Sequence, residues 1–398
     1  MPRDGTIPAR GPRALDLLNF FVADVQTGFG PFVAVYLTAH KWTQVQIGFA
    51  LTTGTIMALI AQIPAGALVD ATPNKRAAAS VALVGVIVAA LLLALQPTQL
   101  PVIVAQVLHA FASCVLTPAI AAISLHLVGY AALGERLGRN ARFASIGNGL
   151  AAAVMGATGA WLSSRAVFLL TAGLCVPALI TLTRIGRGPH SRRQTTTRSL
   201  DWPGLRALLT DRRLLVFGLC IALFHLSNAA MLPLAGAEVT MRAGSYANMI
   251  IAACILVPQG VVALLSPWVG RAATKIGRRP LMLLGWAALP LRGLLLAVLP
   301  GPWLLVAGQS ISGVSAAVFG VMLPLLAADI TRGSTHFNLC MGLLGLAVYV
   351  GAALSTTLGG WIADNSGLPW AFCALAAVGL AGTLTLWAIM PETRSASV

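Results

Sequence analysis

The chain predicts an all-α integral membrane protein: twelve transmembrane helices in two pseudo-symmetric six-helix bundles. Three observations carry that expectation. The 398 residues are 58% hydrophobic and only 9% charged, with a mean hydropathy of +0.85. A soluble core of this size cannot hide so much apolar surface, whereas a bilayer can. Apolar runs long enough to cross about 30 Å of hydrocarbon recur along the whole length. A short basic hinge also occurs twice, at corresponding places in the two halves.

The opening fourteen residues are polar and basic, so the run at 15–38 reads as a first span rather than a cleaved signal. Lys41 marks the turn into span 2 at 45–70, and the first hinge leads into span 3 at 77–96. Spans 4 and 5, at 101–127 and 142–163, flank a loop carrying Arg136 and Arg139, and Arg165 separates span 5 from span 6 at 166–184. A polar stretch follows, in which Pro203-Gly-Leu-Arg-Ala-Leu-Leu can form a short interfacial helix within an otherwise flexible linker. Span 7 at 214–235 and span 8 at 246–270 enclose Arg242, and the second hinge leads into span 9 at 281–299. Spans 10, 11 and 12 fall at 303–328, 336–362 and 369–390. The expected domains are therefore an N-terminal bundle (1–185), a basic cytoplasmic linker (186–213) and a C-terminal bundle (214–398).

The net charge of +15 would point to nucleic acid in a soluble protein. Its placement excludes that reading. Of the 26 Lys and Arg, 22 lie in the N-terminus, the even-numbered loops and the tail, while only Lys41, Arg165 and Arg242 lie opposite and Arg292 falls inside a span. Such a bias places both termini in the cytoplasm. The six cysteines stand singly within spans and read as small buried residues, not as a disulfide or metal set. No phosphate-binding Gly-x-x-x-x-Gly-Lys-Ser/Thr occurs, nor any hydrolase or metallopeptidase pattern, so neither ATP-driven pumping nor an enzyme is expected. No cofactor is expected either.

The duplicated hinges are Gly66-Ala-Leu-Val-Asp70-Ala-Thr-Pro-Asn-Lys75-Arg76 and Gly270-Arg-Ala-Ala-Thr274-Lys275-Ile-Gly277-Arg278-Arg279. Gln106-x-x-His109 of span 4 likewise corresponds to Gln309-x-x-Ser312 of span 10, and Pro31 of span 1 to Pro233 of span 7. The hinges resemble the loop signature of the major facilitator superfamily, Gly-x-x-x-Asp-Arg/Lys-x-Gly-x-Arg/Lys-Arg/Lys. With the 6+6 layout the resemblance covers nearly the whole chain. It departs from the pattern at Ala71, Pro73 and Thr274, and Gln106 stands where many exporters of the family carry a buried arginine.

The resemblance implies a secondary transporter that alternates access by rocking one half against the other. In the family the hinge Asp caps a helix of the opposite half and pairs with a nearby arginine. By resemblance the gating roles fall on Gly66, Asp70, Lys75 and Arg76, with Arg142 as partner, and on Gly270, Lys275, Gly277, Arg278 and Arg279 in the second copy. A carboxylate at a helix N-terminus gains from the dipole and the unsatisfied N–H groups. The alternative is that the hinge lysine and arginine only set topology.

Spans 1, 4, 7 and 10 line the central cavity in the family, which directs attention to their polar residues. Asp24 lies about nine residues into span 1, roughly 13 Å at helical rise. A carboxylate in that position can pick up and release a proton, so Asp24 is the candidate for proton coupling; a structural hydrogen bond is the alternative. Gln106, His109 and Ser113 form one stripe on span 4, His225 and Asn228 another on span 7, and Gln309, Ser312 and Ser315 a third on span 10. These stripes suit a polar substrate or interhelical hydrogen bonds. Arg292, mid-span in peripheral span 9, is expected to pair with a carboxylate; unpaired, it would favour anionic substrates. Asp329, His336 and Asp364 are expected to meet water at span ends.

The function expected is proton-driven export of a small organic molecule, such as a drug-like compound, a metabolite or a siderophore. The alternative is proton-coupled uptake of a polar or anionic solute. The expected partners are substrate, protons and the lipid bilayer of a bacterial inner membrane, with the protein working as a monomer and no nucleic acid involved. The Arg-rich, Lys-poor composition fits a high-GC bacterial source.

Overall fold

The computed structural model describes residues 10–27, 29, 31–186, 202–235, 247–298 and 301–393. Most of the linker, Arg3, Arg242 and Arg394 lie outside the described residues, as do the side chains of Asp24, Gln26 and Pro31 within their helices. Everything regular in the described residues is helix. The elements are α1 (Arg10–Thr27), α2 (Pro31–Ala39), α3 (Gln44–Ala71), α4 (Lys75–Leu95), α5 (Gln99–Trp161), α6 (Ser164–Arg184) and α7 (Trp202–Thr210). They continue with α8 (Arg212–Asn228), α9 (Ala247–Lys275), α10 (Arg278–Val298), α11 (Pro302–Ile330), α12 (Phe337–Ser366) and α13 (Leu368–Ile389). This is the all-helical membrane architecture the composition predicts.

Three departures from the expected spans are informative. The first span is not one helix: α1 ends at Thr27 and α2 restarts with Pro31 as its first residue, where a missing N–H is harmless. Asp24 stands in the last turn of α1, beside that break. The seventh span breaks in the matching place, after Asn228, and the freed Ala230 N–H donates to Ser355 Oγ at 3.0 Å. The loop expected between spans 4 and 5 is helical instead. Within the 63 residues of α5 two helices meet at a kink at Gly129, whose φ of 71° and ψ of 178° are not helical. Because the first span is split and the fourth and fifth run together, ten stretches rather than twelve are long and apolar enough to cross a membrane among the described residues; the seventh still counts as one, Arg212–Ala235.

The chain divides into two compact units, Met1–Trp202 with Gly333–Gly342, and Pro203–Arg332 with Leu343–Val398. In the first, α5 packs against α1, α3 and α4, and α6 against α1 and α4. In the second, α11 packs against α9 and α10, and α13 against α8 and α10. Many large apolar side chains face outward, among them Val81, Leu264, Leu291 and Leu384. Trp161, Trp303, Trp361 and Trp370 are exposed near the helix ends away from the basic loops. Lipid explains both, because tails cover apolar faces and indoles favour the interface.

Candidate functional site

The two hinges are built alike. At the first, the end of α3 leaves its last carbonyls without helical partners. Lys75, nearly buried, curls back to donate from Nζ to the carbonyls of Val69 at 2.7 Å and Asp70 at 3.0 Å. Arg76 donates through Nη1 to the carbonyl of Ile185, the C-cap of α6. At the second hinge Arg278 Nη1 donates to the carbonyl of Ala273 at 2.8 Å, and Arg279 Nη2 to that of Trp387 in the last turn of α13. Val69 stands to Gly66 as Ala273 stands to Gly270. Each hinge therefore uses one cation on the helix it leaves and one on the last helix of its own unit, where the negative end of the dipole favours them.

Their acids differ. Asp70 Oδ1 accepts from Asn338 N at 3.1 Å and Asn338 Nδ2 at 2.6 Å, and Oδ2 accepts from Leu339 N at 2.7 Å. These backbone donors are the second and third N–H groups of α12, so Asp70 supplies a capping carboxylate from elsewhere in the chain. Gly66 makes the approach possible: a Cβ there would collide with the carbonyl of Asn338. Arg142, expected beside Asp70, is exposed and makes no bond to it among the described residues. Three donors already occupy the carboxylate, and Lys75 reaches only its main-chain oxygen.

In the second copy Thr274 turns to the carbonyl of Arg271 at 2.7 Å, and Lys275 is exposed. The capping carboxylate comes instead from Glu392, which accepts from Arg278 N at 2.9 Å and Arg279 N at 3.1 Å. Gly277, with φ 110°, fits a side-chain-free turn against that carboxylate. Asp329 is not solvated as expected; its side chain is 5% exposed and accepts from Arg278 Nε at 3.0 Å and Thr393 Oγ1 at 3.1 Å. His336 lies against Ser334, and Asp364 is exposed. Glu392→Gln should remove the charge from the start of α10, a loss of about 1 kcal/mol. Amide exchange at Arg278 and Arg279 is then expected to rise roughly fivefold; an unchanged rate would remove Glu392 from the capping role.

Sequence reasoning passed over one network entirely. Asp16 is buried near the start of α1 and takes both Arg136 and Arg139. Arg139 binds it through Nε at 2.9 Å and Nη2 at 2.6 Å, while Arg136 also donates to Asn140 Oδ1 at 2.8 Å. Asn140 in turn donates to Ser124 Oγ at 2.8 Å, closing the kink around Gly129. The available signal was an acid inside an apolar run with two arginines, one helical turn apart, in a nearby loop.

The polar stripes separate into distinct environments. His109 stacks on Phe29 with ring centroids 3.8 Å apart, and Ser113 Oγ lies 3.4 Å from its Nε2. Gln106 is buried with Nε2 unpartnered among the described residues. His225 lies edge-on to Phe319, its Nε2 also unpartnered. Ser312 is half-buried, whereas Ser315 donates to the carbonyl of Gly285 at 2.9 Å and is structural. Arg292, 1% exposed, has no carboxylate partner among the described residues. It donates instead from Nη1 to Asn228 Oδ1 at 2.7 Å and from Nη2 to Gln309 Oε1 at 3.2 Å. Two amides, one on α8 and one on α11, hold Arg292 in place of the expected carboxylate.

The family model described as Major Facilitator Superfamily matches residues 15–262 and 243–398. The MFS-type transporter Rv2456c of Mycobacterium tuberculosis is 37% identical over 402 residues, covering 98% of this chain and 96% of that protein. The class B tetracycline resistance protein of Escherichia coli is 32% identical over 101 residues, 25% of each chain. Among solved structures, the human organic anion transporter MFSD10 superposes with TM-score 0.79 at 14% identity, covering 95% of this chain and all of its own. The proton:xylose symporter XylE superposes with TM-score 0.73, also at 14% identity, covering 97% and 96%. At such identities these two show the shared fold.

Proposed function

This chain belongs to the major facilitator superfamily, and from that premise we propose that it is a proton-driven exporter of a small organic molecule in a bacterial inner membrane. The observation that carries alternating access is the duplicated hinge. Both copies place cations on equivalent carbonyls, and a carboxylate caps a helix at each: the first hinge supplies Asp70 to α12, and the second receives Glu392 at α10. This is a device suited to holding and releasing one access state. Export is supported by the quarter-length similarity to a protein named for tetracycline resistance. Proton coupling falls to Asp24, placed by α1 beside a helix break; broken helices at matching places in two repeats point to the binding region of a transporter. Gln106, His109, Ser113, His225, Asn228, Gln309 and Ser312 are the proposed cavity residues. The protein works as a monomer, with both termini in the cytoplasm.

Everted membrane vesicles carrying the protein provide the test. Respiration acidifies their interior, and a fluorescent amine reports the gradient. Adding a transported compound should partly collapse the gradient, because each molecule moved inward releases protons outward. A broad panel of drug-like and metabolic compounds that never perturbs the gradient more than in vesicles without the protein would contradict proton-driven export.

A further inference from the structure

A fully buried guanidinium compensated only by neutral amides is an unusual arrangement. Arg292 carries a charge that no ion pair among the described residues balances, and its surroundings are apolar. Leu296, one turn further along α10, packs against the core of Ala230, Met231, Cys254, Leu305, Phe372 and Leu375. A lone charge inside a membrane protein is costly enough that it marks a ligand or ion pathway by default. The surrounding hydrogen bonds specify the sign and shape of what belongs there. Asn228 and Gln309 spend their oxygens on Nη1 and Nη2. Among the described residues, Arg292 Nε and Gln309 Nε2 remain as buried donors with no partner, and His225 Nε2 is a third unpartnered nitrogen one turn before Asn228.

The guanidinium edge formed by Nε and Nη2 is the one that takes a carboxylate through two parallel hydrogen bonds. Here Nε is unpaired and Nη2 holds only the longer of the two amide bonds. An oxyanion on that edge would balance the charge and satisfy Nε, and the Gln309 amide nitrogen could turn to donate to it. Asn228 and His225 are half-buried, which places the approach along α8.

We propose that the Asn228–Arg292–Gln309 cluster binds the carboxylate, or an equivalent oxyanion, of the transported molecule. This deepens the transporter reading and rests on it, while leaving the direction of transport open. Anionic compounds are then preferred over neutral compounds of the same shape.

The test uses the full-length protein in nanodiscs of phosphatidylcholine alone, so that no net-anionic headgroup competes. Thermal stabilisation is measured with benzoate, salicylate and octanoate, each against its neutral amide. At least one acid should bind about tenfold or more tightly than its amide, a difference of about 1.4 kcal/mol. Arg292→Gln should abolish that preference. Because this variant could fold poorly, Asn228→Asp is measured beside it: the new carboxylate pairs with Arg292 in place, so the chain should be at least as stable and yet lose the preference. Equal response to acids and amides, no response to any acid, or a preference surviving in Asn228→Asp overturns the proposal. A negative vesicle assay alongside acid-selective binding would instead overturn only proton-driven export.

Discussion

Vesicles containing Asp24→Asn are expected to lose all gradient-driven transport while still exchanging labelled for unlabelled substrate. Exchange needs only that the loaded carrier alternate between its two faces. Net coupled transport also needs a group that carries a proton in one state and gives it up in the other. An asparagine of the same size stays neutral throughout, so it removes the second requirement and keeps the first. The position of Asp24 in the last turn of α1, just before the chain restarts at Pro31, suits this role, since a broken helix can re-aim that turn between access states. Gradient-driven transport by Asp24→Asn at the native rate would move proton coupling to another residue, with His109 and His225 next in line. Loss of exchange together with coupled transport would point to a structural hydrogen bond instead.

The second large effect is expected at Asp70. Its two oxygens face three donors, Asn338 N, Asn338 Nδ2 and Leu339 N. In Asp70→Asn one oxygen becomes an NH2 group, which turns a donor toward a donor and removes the charge from the start of α12. Losing one charge-assisted bond in a buried place amounts to about 2 kcal/mol. Amide exchange at Asn338 and Leu339 should therefore rise roughly 30-fold. The resting access state should shift as well. In a chain freed of its six native cysteines, Ser113→Cys and Ser312→Cys should change their labelling from one side of the membrane when Asp70→Asn is added. Unchanged exchange and unchanged labelling would leave the hinge cations with a topological role only.

Much of this arrangement was legible in the residues. Apolar runs mark helices because the bilayer imposes their length, and the bias of arginine marks the side on which the loops lie. The doubled hinge was visible because duplication preserves spacing: Lys75 and Arg278 carry equivalent bonds although their local sequences differ. What the chain hid were partners distant in sequence. Glu392 reaches the second hinge across more than a hundred residues, and nothing around Thr274 shows that a carboxylate from the tail caps the helix that follows. Asp329 looked like a solvated span end because only packing brings Arg278 and Thr393 to it. The helix through 130–141 was masked by its charged residues, which read as a loop until Arg136 and Arg139 are seen closing on Asp16. Arg292 was conspicuous as a charge inside an apolar run, but whether an acid or an amide faced it depended on how α8, α10 and α11 pack, which periodicity does not encode.

On the proposed function, this chain moves a small organic molecule out of the cell, driven by the proton gradient. The most direct measurement compares small molecules inside and outside cells that lack the protein, express it, or express Asp24→Asn. The expected result is one or more compounds enriched in the medium of the expressing cells alone. Depletion of a compound from that medium, or identical profiles in all three, would contradict export.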